Sequence, residues 1–178
     1  MKRYHPVLVA LHWLLAVMII TGLIMGTNVL SPTPNDVPEK LFYLKMHMTM
    51  GMIILVLMIV RLGVRLFTAK PPAADIGTGL LNKLGIATHY LFYLVVILMA
   101  VSGLATANLA GLPEIVFGGS GVPLPSTFDE FPPRMAHGAL GVVLLLLVIG
   151  HVLAFLYHQY GRTDGLFSRM WFGRRSWT

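Results

Sequence analysis

The sequence predicts an all-α integral membrane protein, a bundle of four transmembrane helices with both termini in the cytoplasm. Composition is the first reason. Of 178 residues 56% are hydrophobic and only 11% charged, with a mean hydropathy of +0.77, a balance that soluble domains lack. The second is length: four apolar segments, approximately 7–30, 41–67, 84–107 and 135–160, each reach the roughly 20 residues that cross a hydrocarbon core. Charge placement is the third. One set of segment ends carries Lys2, Arg3, Arg61, Arg65, Lys70, Lys83, Arg162, Arg169, Arg174 and Arg175. The other carries only Lys40, Lys45 and Arg134. The basic side is cytoplasmic.

The first segment opens as MKRYHPVLV, with the basic start of a signal peptide. Its apolar run is too long for one and no small-residue cleavage site follows, so it is expected to stay as the first span. Gly22-x-x-x-Gly26 permits close helix contact there. The first external connection, SPTPNDVPEK, is short and proline-rich, and the cytoplasmic one, TAKPPAADIGTGLLN, is also short. The second external connection, about 108–133, is the longest non-helical stretch and contains FGGSGVPLPSTFDEFPP. A loop of that length is a functional lid or a glycine-rich connector. Pro132 and Pro133 sit where proline starts helices well. In lipid the backbone must satisfy itself, so the spans are helices. Short connections and no internal repeat make residues 1–178 one antiparallel transmembrane domain.

The net charge of +6 brackets apolar segments and forms no patch for nucleic acid. External connections hold five of the acids, Asp36, Glu39, Glu114, Asp129 and Glu130, which weakens the case for a broad anion-steering field. Cysteine is absent. That excludes disulfides, cysteine-held iron–sulfur clusters and covalently attached haem.

Five histidines fall inside the spans: His12, His47, His89, His137 and His151. Ionisable groups in lipid are costly and mark function. His137 and His151 are fourteen residues apart, which puts both on one helix face with a rise of roughly 21 Å between them. Depth sorts the five into an external pair, His47 and His137, and a cytoplasmic trio, His12, His89 and His151. Two neutral imidazoles on facing helices can clamp the iron of one haem b, and six-coordinate iron favours electron transfer over oxygen binding. His47 with His137 makes an external site. For His151, geometry leaves His12 and His89 equal.

Arg61 and Arg65, four apart at the cytoplasmic end of the second span, offer guanidinium groups to haem propionates or to lipid headgroups. Lys45 and Arg134 stand just before the external histidines and could hold propionates or attract an anion. The run Met46-His47-Met48-Thr49-Met50-Gly51-Met52 invites a copper reading. Alternating residues do not share a helix face, however, and methionine is a common apolar filler. His5, beside Pro6 in the basic terminus, reads as interfacial.

LHW at Leu11–Trp13, RLGVRL at Arg61–Leu66, the MAHGALG run around His137 and IGHVLAFLYHQY at Ile149–Tyr160 resemble the prokaryotic cytochrome b561 family. That family is related to the cytochrome b subunits of nickel–iron hydrogenases and formate dehydrogenases. The resemblance covers nearly the whole chain and implies two haems b. The first and fourth helices would supply one ligand pair, here His12 and His151; the second and fourth would supply the other, here His47 and His137. His89 is then a non-ligand near a propionate or quinone. His158, seven residues beyond His151, resembles a histidine proposed to contact ubiquinone, where it could exchange a proton; otherwise it is interfacial.

The resemblance also implies an oxidoreductase of the bacterial inner membrane, a superoxide oxidase. Superoxide would give one electron at the external side, and two such electrons with two protons would make ubiquinol at the cytoplasmic side. The alternative is a cytochrome b membrane anchor relaying electrons for a partner dehydrogenase or hydrogenase. A metal transporter, the third class, would lack a haem spectrum.

Overall fold

The computed structural model describes residues 3–69, 79–162 and 165–172, and among them there is no strand. Four helices dominate: α1 (Pro6–Ile24), α2 (Glu39–Phe67), α3 (Gly79–Leu109) and α4 (Pro132–Leu156). Wide π-helical turns extend α1 over Met25–Leu30 and α4 over Tyr157–Arg162. With those extensions all four helices are long and apolar enough to cross a membrane. The chain is an all-α four-span bundle.

Local chemistry sets the helix starts. The His5 imidazole accepts a hydrogen bond from the Val7 N–H at 3.3 Å and Pro6 takes the first helical position, so His5 caps α1. Pro132 opens α4, three residues before the expected Met135, behind an extended Phe131. Likewise α3 begins at Gly79, earlier than Leu84. Most of the TAKPPAADIGTGLLN connection, with Lys2, Lys70, Arg174 and Arg175, lies outside the described residues.

Helix α1 packs on α2, α2 on α3 and α3 on α4; α4 makes no comparably close packing with α1 or α2 among the described residues. Gly22 and Gly26 face α2, where an added Cβ would lie 3.4 Å from Met50 and 3.6 Å from His47. Mid-bundle, Leu15, Ile54, Met58, Tyr93, Val95, Val96 and Leu144 form the buried core. The outer face stays apolar, with Val17, Val56, Leu94, Leu146 and Leu153 more than half exposed, as lipid contact demands.

The segment 108–133 is more than a connector. Ala107, Ala110 and Leu112 gather Met48, Ile115, Val116, Leu124, Phe128 and Phe131 into a second apolar cluster, including a wide turn at Pro113–Phe117. Asn35 Nδ2 donates to the Pro125 carbonyl at 2.8 Å, clasping this cap to the loop between α1 and α2. At the same end Lys40, 5% exposed, donates from Nζ to the Leu30 and Thr33 carbonyls at 2.6 Å each. A cation there satisfies the Leu30 carbonyl that the end of α1's extension leaves free and the Thr33 carbonyl in the loop beyond. Lys40→Met should strand both acceptors and cost about 3 kcal/mol, read as a lowered Tm of the detergent-solubilised protein. An unchanged Tm would mean that the cap contributes nothing.

At the opposite end the residues before α1 meet the turn that follows α4's extension. Gly165, left-handed at φ 69°, turns the chain into a single 3-10 turn at Leu166–Met170. The Tyr4 N–H donates to the Arg169 carbonyl at 3.2 Å.

Candidate functional site

The five span histidines gather at two depths. At the loop end His47 of α2 faces His137 of α4, with ring centres 6.1 Å apart and planes at 80°. His137 Nδ1 lies 2.8 Å from the Met99 carbonyl. A carbonyl only accepts, so Nδ1 carries the proton and Nε2 of the neutral ring keeps its lone pair. His137 also lies over Gly103, where an added Cβ would stand 2.9 Å from its Cε1. His47 Nδ1 is buried with no hydrogen-bond partner among the described residues.

At the termini end His151 of α4 meets two imidazoles. His12 of α1 has its ring centre 6.2 Å away, at 71°, and His89 of α3 stands 5.9 Å away, at 88°. His89 Nδ1 is 2.7 Å from the Gly85 carbonyl one turn back. A cavity at this depth is lined by Tyr4, Leu8, His12, Arg61, Arg65, His89, His151 and Met170. The structure thus brings His12, His151, Arg61 and Arg65 together, with His89 beside them. His158 does not line this cavity; it lies beyond it in the wide turn after α4, half-buried, its ring 5.8 Å from that of Tyr157.

Both arginines are held against tyrosines of α3. Arg61 Nη1 donates to the Tyr93 hydroxyl at 2.5 Å. The Arg65 guanidinium sits 5.4 Å from the Tyr90 ring centre, with its Nε buried and without a partner among the described residues. Such cations are positioned for an anionic group entering the cavity.

The C-terminal turn closes this cavity from below. Trp13 Nε1 donates to the Met170 carbonyl at 2.8 Å, and Trp13 packs against Phe167 and Trp171 at 6.2 Å and 5.7 Å. Sequence reasoning missed this floor and the two tyrosines. Trp13 drew notice only as part of LHW, and Tyr90 and Tyr93, three apart on one helix, give no sign in sequence of lying opposite Arg61 and Arg65.

Other singled-out residues fall outside the two layers. Lys45 Nζ lies 5.8 Å from the Phe117 ring centre in the loop-end cap, and Arg134 flanks Gly138. The methionines of the α2 run disperse: Met46 and Met52 are exposed, Met48 joins the loop-end cluster and Met50 packs on Gly22. They form no copper site.

Do these residues fit haem? Metal–nitrogen contacts of about 2 Å on either side of one ion, with each ring centre about 1 Å further back, put two imidazole centres about 6 Å apart. The pairs at 6.1 Å and 6.2 Å match that spacing. Each of these pairs also bridges helices that are not closely packed, α2 with α4 and α1 with α4. The unpartnered His47 Nδ1 and Arg65 Nε are the kind of unspent polar atoms such a group would engage. The donor set fits.

Known proteins agree with this chemistry. A family model described as prokaryotic cytochrome b561 matches residues 3–173. Over 175 residues the chain is 28% identical to the Probable superoxide oxidase CybB of Yersinia pestis, a match covering 95% of this chain and 96% of that protein. Since the family match takes in all four helices and every one of the paired histidines, the chain belongs to the prokaryotic cytochrome b561 family, haem b electron-transfer proteins that cross the bacterial membrane several times.

Proposed function

We propose that the chain holds two haems b in series and passes electrons across the bacterial inner membrane, as a superoxide:ubiquinone oxidoreductase. His47 and His137 hold the group at the loop end, on the external side. His12 and His151 hold the other at the termini end, which faces the cytoplasm. Bound haem supplies one-electron exchange at each depth. Two imidazole pairs at two depths of one bundle carry this reading.

The chain's own residues define the rest of the work. The apolar layer of Leu15, Ile54, Met58, Val96 and Leu144 excludes water and ions between the two sites. Arg61 and Arg65 neutralise propionates at the termini end. His158, in the turn beyond that site, passes a proton to quinone at the membrane surface. Two superoxide anions give up one electron each to become dioxygen; the two electrons and two cytoplasmic protons convert ubiquinone to ubiquinol. The name of the Yersinia pestis relative supports superoxide as the donor.

Purification of the chain alone tests this. The protein should carry two haems b by reduced-minus-oxidised spectrum, and should form ubiquinol from superoxide and ubiquinone. A loaded protein inert in that assay would favour the membrane-anchor reading. A protein without haem would defeat both.

A further inference from the structure

Tyr93 is 5% exposed and sits in the mid-bundle core with Leu15, Met58 and Leu144. A phenol hydroxyl in such surroundings needs a partner. It has one: Arg61 Nη1 donates to it at 2.5 Å, the one hydrogen bond of Arg61 shown among the described residues. The Arg61 guanidinium carbon also stands 5.5 Å from the Tyr93 ring centre. One turn towards the termini, Arg65 rests on Tyr90 in the same way. Residues 90 and 93 on α3 therefore oppose 61 and 65 on α2, and the two cations are held against two rings at the edge of the His12–His151 cavity.

Arginine has five N–H donors and a long, rotamer-rich stem. With one donor engaged by Tyr93, the remaining four are presented in a fixed plane. We infer that Tyr93 is a positioning residue, whose hydroxyl fixes the Arg61 guanidinium at the cavity so that a carboxylate of the bound group meets a stationary positive charge. This rests on the proposed haem at the His12–His151 level. A fixed cation beside haem disfavours the more positive oxidised state and so raises the midpoint potential; a wandering, hydrated one does so less. The hydroxyl is the operative part, since phenylalanine would keep the ring face and the core packing.

The test is a redox titration of the haem-loaded full chain with Tyr93→Phe, Arg61→Gln and the double variant, with haem content and Tm measured alongside. Arg61→Gln should lower the midpoint potential at the His12–His151 level. Tyr93→Phe should lower it in the same direction by a smaller amount, with haem content unchanged. The double variant should match Arg61→Gln alone. A Tyr93→Phe potential equal to the parent's, while Arg61→Gln shifts, would overturn this inference and leave the haem scheme standing. Additive shifts in the double variant would overturn it too, because Tyr93 would then act without Arg61. No shift in Arg61→Gln would remove the carboxylate from Arg61 and the role of Tyr93 with it.

Discussion

His12→Ala protein should purify with one haem in place of two, while His89→Ala protein keeps both. Ring distances alone do not separate the two residues, because both imidazoles lie about equally far from His151. Helix packing does. Closely packed helices have axes about 8–10 Å apart, too near to leave a macrocycle between side chains that meet across the seam. Helices α3 and α4, which carry His89 and His151, are packed in that way, whereas α1 and α4 are not. The external pair obeys the same geometry, because α2 and α4 are also unpacked. Pyridine haemochrome content against protein mass gives the stoichiometry directly. Loss of haem in His89→Ala alone would move the ligand to α3 and break the scheme.

The spans were legible because lipid imposes a length and forbids bare backbone, so Val7–Leu30 and its three counterparts announce themselves by composition. The layers were legible because five imidazoles inside apolar helices have few explanations, and counting residues along a helix gives depth. What counting cannot give is which helix lies beside which. His12 and His89 share a depth, so the choice of His12 rests on the neighbours of α4. The same limit hid the Arg61–Tyr93 contact and the Trp13–Met170 contact across 157 positions of chain. The loop-end cap was hidden differently. Leu112, Ile115, Val116, Leu124, Phe128 and Phe131 show no single period in sequence, and become one apolar face only when wide turns and glycines fold them together.

Gly103 is the residue whose importance nothing in the sequence announced, and replacing it should have a large and local effect. It lies on α3 under the His137 ring, where a Cβ would come within 2.9 Å of Cε1 and 3.1 Å of Nδ1. The ring cannot retreat freely, because Nδ1 is tied to the Met99 carbonyl on the same helix. A β-branched side chain at 103 must therefore push His137 off that carbonyl and away from His47. Gly103→Val should lose the loop-end haem, keep the haem of His12 and His151, and cost about 1–3 kcal/mol of stability through overpacking. Gly141→Ala is the control at the same helix pair: its added Cβ would touch only the flexible end of Met99, at 3.5 Å, and both haems should remain. Low-spin ferric signals in electron paramagnetic resonance would separate the two sites. A Gly103→Val protein with both signals intact would show that His137 need not hold its observed position, and the His47–His137 site would lose its geometric support.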